Sequence, residues 1–99
     1  MNPDSIQVAA DHYGRFYHEE PDDDLADRDA QGMLRTDQLT AARDALAELL
    51  AADLPVGRLR EFVRRHANRL AYDDDDARWF VEKTVAALDE EIRTRGSEA

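Results

Sequence analysis

Carboxylates are the one chemically active side chain that this 99-residue sequence holds in abundance: 15 Asp and 8 Glu. Abundance works against specificity. No acid pair stands out as desolvated or tuned for proton transfer, because every stretch of chain carries one. Other catalytic side chains are scarce. The only serines, Ser5 and Ser97, lie near the two ends, and there is no cysteine. That composition excludes disulfides, thiolate catalysis and cysteine-based zinc or iron–sulfur sites. His12 and His18 are six residues apart, so they do not share a helix face as an i, i+4 ligand pair does. His66 falls in an apolar arc and reads as a core-edge histidine. The chain is expected not to be an enzyme, and no catalytic residue is assigned.

Oxygen ligands for a cation are better placed. In Asp27-Arg28-Asp29-Ala30-Gln31-Gly32-Met33-Leu34-Arg35-Thr36-Asp37-Gln38, oxygen-bearing side chains occupy positions 1, 3, 5 and 12. Glycine stands at position 6 and leucine at position 8. The segment resembles an EF-hand calcium loop, which implies Asp27, Asp29, Gln31 and Gln38 as the metal ligands. It departs from that pattern at Gln38, which cannot chelate through two carboxylate oxygens, and at Arg35, a cation beside the site. Calcium binding through 27–38 is therefore a secondary expectation, with no other cofactor expected. The run Asp73–Asp76 opens a helix, where its carboxylates point in different directions and complement the macrodipole.

Cations show the opposite pattern, few and clustered. There are 12 Arg and one Lys, Lys83. Five arginines (Arg58, Arg60, Arg64, Arg65 and Arg69) lie within 55–70 with a single acid, Glu61. That segment carries about +4 against a chain total of −10, leaving about −14 elsewhere. The arginines could neutralise the acids of 19–29 or 73–76, contact an acidic partner or a second copy of the chain, or contact nucleic acid. Trp79 falls off the apolar face of its segment and, with Tyr72, is a candidate interface anchor.

Four helices are expected to position these groups. The first begins at Asp4, where Asp4 and Gln7 have capping-box spacing, and is ended by Pro21. Residues 19–35 read as an acidic loop, since charges this dense resist packing. Thr36 caps a second helix with an apolar stripe of Leu39, Ala42, Leu46, Leu49 and Leu50. Pro55 suits the first turn of a third, in which Val56, Leu59, Val63, His66, Ala67 and Leu70 share one face. The last runs from Asp73–Asp76 to about Arg95, with Gly96 as C-cap. The fold class is all-α: a compact bundle of about four helices in one domain, 1–99, with a frayed end at 96–99.

Composition limits the function classes. A hydrophobic content of 42% suffices for a modest core. No signal peptide and no membrane-length apolar run is read, so a cytoplasmic protein with no membrane partner is expected. The scarcity of lysine and the wealth of Ala, Arg and Asp fit a GC-rich genome or a high-salt cytoplasm. The function expected is a small acidic interaction or regulatory protein that binds a macromolecular partner, most simply a protein, by complementary charge, as inhibitor, immunity or nucleic-acid-mimic proteins do. Its partner-binding residues would be Arg58, Arg60, Arg64, Arg65, Arg69 and Trp79, with Asp22, Asp23 and Asp24 as the acidic face. The alternative is a nucleic-acid-binding regulator that uses the arginine-rich helix 55–70.

Overall fold

Asn2 starts the first helix by accepting a hydrogen bond from the Asp4 N–H at 2.8 Å, and Pro3 follows where a missing N–H costs nothing. In this computed structural model, which describes residues 2–98, five helices follow in order: α1 Pro3–Phe16, α2 Asp23–Met33, α3 Thr36–Ala51, α4 Arg58–Ala67 and α5 Asp74–Glu98. There is no strand among the described residues. The fold class is all-α as expected, with one helix more than the pattern suggested.

The extra helix is α2, and it corrects the acidic loop expected at 19–35. Asp22 caps it by accepting from the N–H groups of Asp24 (2.9 Å) and Leu25 (3.3 Å). Asp23 and Asp24 then sit in the first turn, where the macrodipole favours negative charge. Charge density that opposes packing in a loop therefore favours a helix start here. Ala26 and Ala30 face inward, Asp23 and Asp27 are half-buried, and Asp24, Arg28 and Asp29 are exposed.

Other boundaries move for local reasons. Asn2, not Asp4, caps α1, and the Gln7 amide bonds Asp11 instead of reaching back. Thr36 lies inside the first turn of α3, where Gln38 accepts from the Arg35 N–H at 2.9 Å. Gly57, at φ 85°, makes a left-handed turn that delays α4 to Arg58, and Asn68, at φ 54°, ends it. Pro55, Val56 and Leu70, expected in this helix, lie outside it. Gly96 lies within α5 instead of capping it. Of the end expected to fray, residue 99 lies outside the described residues.

α2, α3 and α4 each bridge α1 and α5. The enclosed core includes Tyr13, Tyr17, Leu39, Leu46, Val63, Val81 and Leu88, all at most 2% exposed. Its radius of gyration, 12.9 Å, matches the value of about 13 Å for a compact chain of this length. No helix is long and apolar enough to cross a membrane. Tyr13 donates to Thr84 at 3.1 Å, and Thr84 donates to the Phe80 carbonyl at 3.1 Å, so the buried hydroxyls at the centre are paired.

Candidate partner-binding face

α4 is held by its inner face and displays its outer one. Leu59, Phe62, Val63 and Ala67 are buried against α1 and α5. Its N-terminus has no side-chain cap of its own. The carboxylate of Asp74, from the start of α5, accepts from the N–H groups of Gly57 (2.6 Å) and Arg60 (3.0 Å) in its place. Those two bonds hold the Asp74 carboxyl below the usual carboxylate range. Asp74→Ala is expected to lower the melting temperature by roughly 5 °C, the scale of a lost helix cap in a chain this size. Asp74→Asn, which keeps one acceptor, should lie between. A melting curve for Asp74→Ala that superimposes on the parent's would refute the cap.

The five arginines divide sharply. Arg69 is spent on the fold. Its Nε donates to Asp23 Oδ1 at 2.7 Å, its Nη1 to the carbonyls of Tyr17 (3.0 Å) and Ala67 (3.1 Å), and its Nη2 to the carbonyl of Glu20. Arg60 is half spent: its Nε donates to the Ala71 carbonyl at 2.8 Å, and no other bond to its side chain is present among the described residues. Arg58, Arg64 and Arg65 are exposed and form no ion pair or side-chain hydrogen bond among the described residues. The acids proposed as a face are also partly spent. Asp22 caps α2, Asp23 pairs with Arg69, and Asp24 is exposed. In the run 73–76, Asp73 caps α5 by accepting from the Asp76 N–H (2.9 Å), and Asp76 accepts from the Tyr72 N–H (3.0 Å).

Beside the unpaired arginines lies apolar surface that helical spacing had placed in the core. Val56 is 100% exposed and Leu70 95%. The helical wheel was continued past the Gly57 and Asn68 turns, where it no longer applies. Tyr72 (86%) and Trp79 (62%) are exposed as interface anchors would be. Trp79 stacks under the Lys83 ammonium at 5.4 Å. Two depressions meet here. One, of about 600 Å³, is lined by Gly57, Arg60, Glu61, Arg64 and Arg65. The other, of about 320 Å³, shares Gly57 and Arg60 and adds Val56, Tyr72 and the acids Asp73–Asp75.

The calcium-loop residues do not converge. Asp27, Asp29 and Gln31 lie on α2 at steps of two, which places successive side chains on different sides of a helix. Asp27 accepts from the Tyr17 hydroxyl, and burial pushes its carboxyl above the usual range. Gln31 donates to the Ala87 carbonyl at 3.2 Å, and Gln38 serves the start of α3. Gly32 is helical, so the turn that a calcium loop needs at that position is missing. No group of three or more His, Cys, Asp or Glu among the described residues is arranged to hold a metal ion.

The spacing of His12 from His18 gave no sign that His12 is buried. It is 5% exposed, packed between the rings of Phe16 (5.3 Å) and Tyr17 (5.8 Å), with an Nε2 that has no hydrogen-bond partner. Its position one residue before Tyr13 in the apolar run of α1 was the available signal. His66 sits at the core edge as expected, against Phe62 at 4.7 Å, and desolvation followed by Arg65 lowers its pKa. Comparison of the chain with protein-family models, curated proteins and solved structures finds no match.

Proposed function

We propose that this chain is a non-catalytic interaction protein that binds a macromolecular partner through complementary charge, and that the outer side of α4 is its binding face. One observation carries the reading. On a chain with a net charge of −10, Arg58, Arg64 and Arg65 have no acid partner among the described residues, although Arg69 in the same segment has one. Unpaired cations amid so much negative charge are available for an external anion at no cost in broken internal pairs. The acidic face is the weaker mechanism, because Asp22 and Asp23 already serve the fold.

A protein partner is favoured over nucleic acid. A helix-turn-helix unit made of α3 and α4 would need the two packed on each other, whereas each packs on α1 and α5. The test is capture of partners from host lysate by the tagged chain. Capture should weaken as salt rises and fall by roughly tenfold for the double variant Arg64→Glu/Arg65→Glu. Asp24→Arg, on α2, should leave it intact. Equal capture by parent and double variant would remove α4 from the binding face.

A further inference from the structure

We infer that the partner presents a protein segment in which acidic residues lie to one side of one large apolar side chain, the acids meeting Arg60, Arg64 and Arg65 and the apolar side chain entering the depression lined by Val56 and Tyr72. This rests on the reading that α4 is the binding face, and it specifies what that face selects. The two depressions adjoin through Gly57 and Arg60, so one continuous ligand can occupy both. They differ in chemistry. The first is lined by three arginines and one glutamate and attracts carboxylates. The second is lined by the apolar side chains of Val56 and Tyr72 together with the acids Asp73, Asp74 and Asp75.

That acidic lining selects between occupants. An unbroken string of phosphates running from the first depression into the second would meet Asp73 and Asp75, and its charge repulsion there would cancel the gain at the arginines. A purely acidic peptide meets the same repulsion and leaves Val56 and Tyr72 in water. A segment that changes from acidic to apolar between the two depressions avoids the repulsion and covers exposed apolar surface. Arginine with tyrosine at the centre of a concave face is also the composition of interface hot spots. Arg60, at the junction, is partly immobilised by its bond to the Ala71 carbonyl, so less side-chain freedom is lost when an acid binds it.

The experiment is selection of a short random-peptide library on the full tagged chain, followed by affinity measurement on synthetic peptides from the winners. Two variants serve as comparisons: Arg64→Glu/Arg65→Glu and Val56→Ser/Tyr72→Ser. All four positions are exposed, so both variants should fold, and a thermal melt of each checks it. Recovered sequences should carry two or more acids on one side of a Leu, Phe or Trp. Each variant should cost roughly tenfold in affinity, and only the arginine variant should flatten the salt dependence. Acidic winners indifferent to Val56→Ser/Tyr72→Ser overturn the apolar anchor and leave the charge reading standing. Winners indifferent to Arg64→Glu/Arg65→Glu overturn both. If no peptide is enriched and a short DNA duplex binds the parent but not the arginine variant, the protein-segment inference is overturned and the face reads nucleic acid. If neither peptide nor duplex binds, the inference and the reading beneath it both fall.

Discussion

Arg69→Met should lower the free energy of unfolding by about 3 kcal/mol, measured by urea titration with an unchanged slope. Methionine keeps the length and apolar stem of the side chain, so packing changes little. What goes is a guanidinium that reaches four acceptors: the Asp23 carboxylate and the carbonyls of Tyr17, Glu20 and Ala67. The pair is only 18% and 28% exposed, so Asp23 is left as a poorly hydrated charge without a partner. Hydrogen bonds to a charged group contribute more than neutral ones, and the orphaned acceptors add their own desolvation cost. Arg69→Lys keeps the charge and recovers only part of the loss, because an ammonium cannot reproduce a fork that donates from Nε, Nη1 and Nη2 at once. Asp23→Asn combined with Arg69→Met should cost less than the two losses added. A loss under about 0.5 kcal/mol would place Arg69 with ordinary surface ion pairs and contradict this account.

Acid should destabilise the fold between pH 6.5 and 4 through His12. Burial, with a smaller contribution from Arg15, pushes its pKa down from 6.5 to about 4. The folded chain therefore favours neutral imidazole, while the unfolded chain takes up a proton near pH 6.5. Within that window the unfolded state holds more protons, so stability falls as pH falls. Above pH 6.5 the contribution is fully present, and below pH 4 the loss is complete. At about 1.4 kcal/mol per unit, the total is about 3 kcal/mol. Asp27 acts with the opposite sign, because its raised pKa favours proton uptake by the folded chain. His12→Gln isolates the histidine: the difference between parent and variant should be flat above pH 7 and change only within the window. An imidazole resonance of His12 that titrates at 6.5 or above in the folded protein would eliminate the effect.

Legibility followed the size of the buried side chains. α3 was readable because Leu39, Ala42, Leu46 and Leu49 repeat at helical spacing, and all four are buried. Phe80, Val81 and Leu88 made α5 readable in the same way. α2 was not readable, because it buries only Ala26 and Ala30, small residues among charges, and owes its start to Asp22. The calcium-loop pattern arose from that same segment. Spacing of oxygen ligands along a chain fits either a loop that curls around an ion or a helix that scatters them, and the sequence does not distinguish the two. The outward position of Arg58, Arg64 and Arg65 followed from the wheel. Pairing of Arg69 with an acid of 19–29 was among the expectations and Asp23 meets it, but its bonds to the backbone carbonyls of Tyr17 and Glu20 carried no side-chain signal. Val56 and Leu70 were misplaced by the same wheel that placed the arginines correctly. A period says which residues share a face and not where the helix stops.

The bond from Gly57 to Asp74 closes a ring in the chain, 17 residues apart, braced near its neck by Arg60 and Ala71. Arg58, Arg60, Arg64, Arg65, Leu70 and Tyr72 all ride on that ring, and Val56 stands at its neck. The proposed face is therefore one uninterrupted stretch of sequence rather than a mosaic drawn from several helices. Leu59, Phe62, Val63 and Ala67 seat the ring on the core, and Asn68 and Arg69 tie it to the segment after α1. Arg60 and Asp74 belong to both sides of that segment: they line the proposed face and also hold the ring closed.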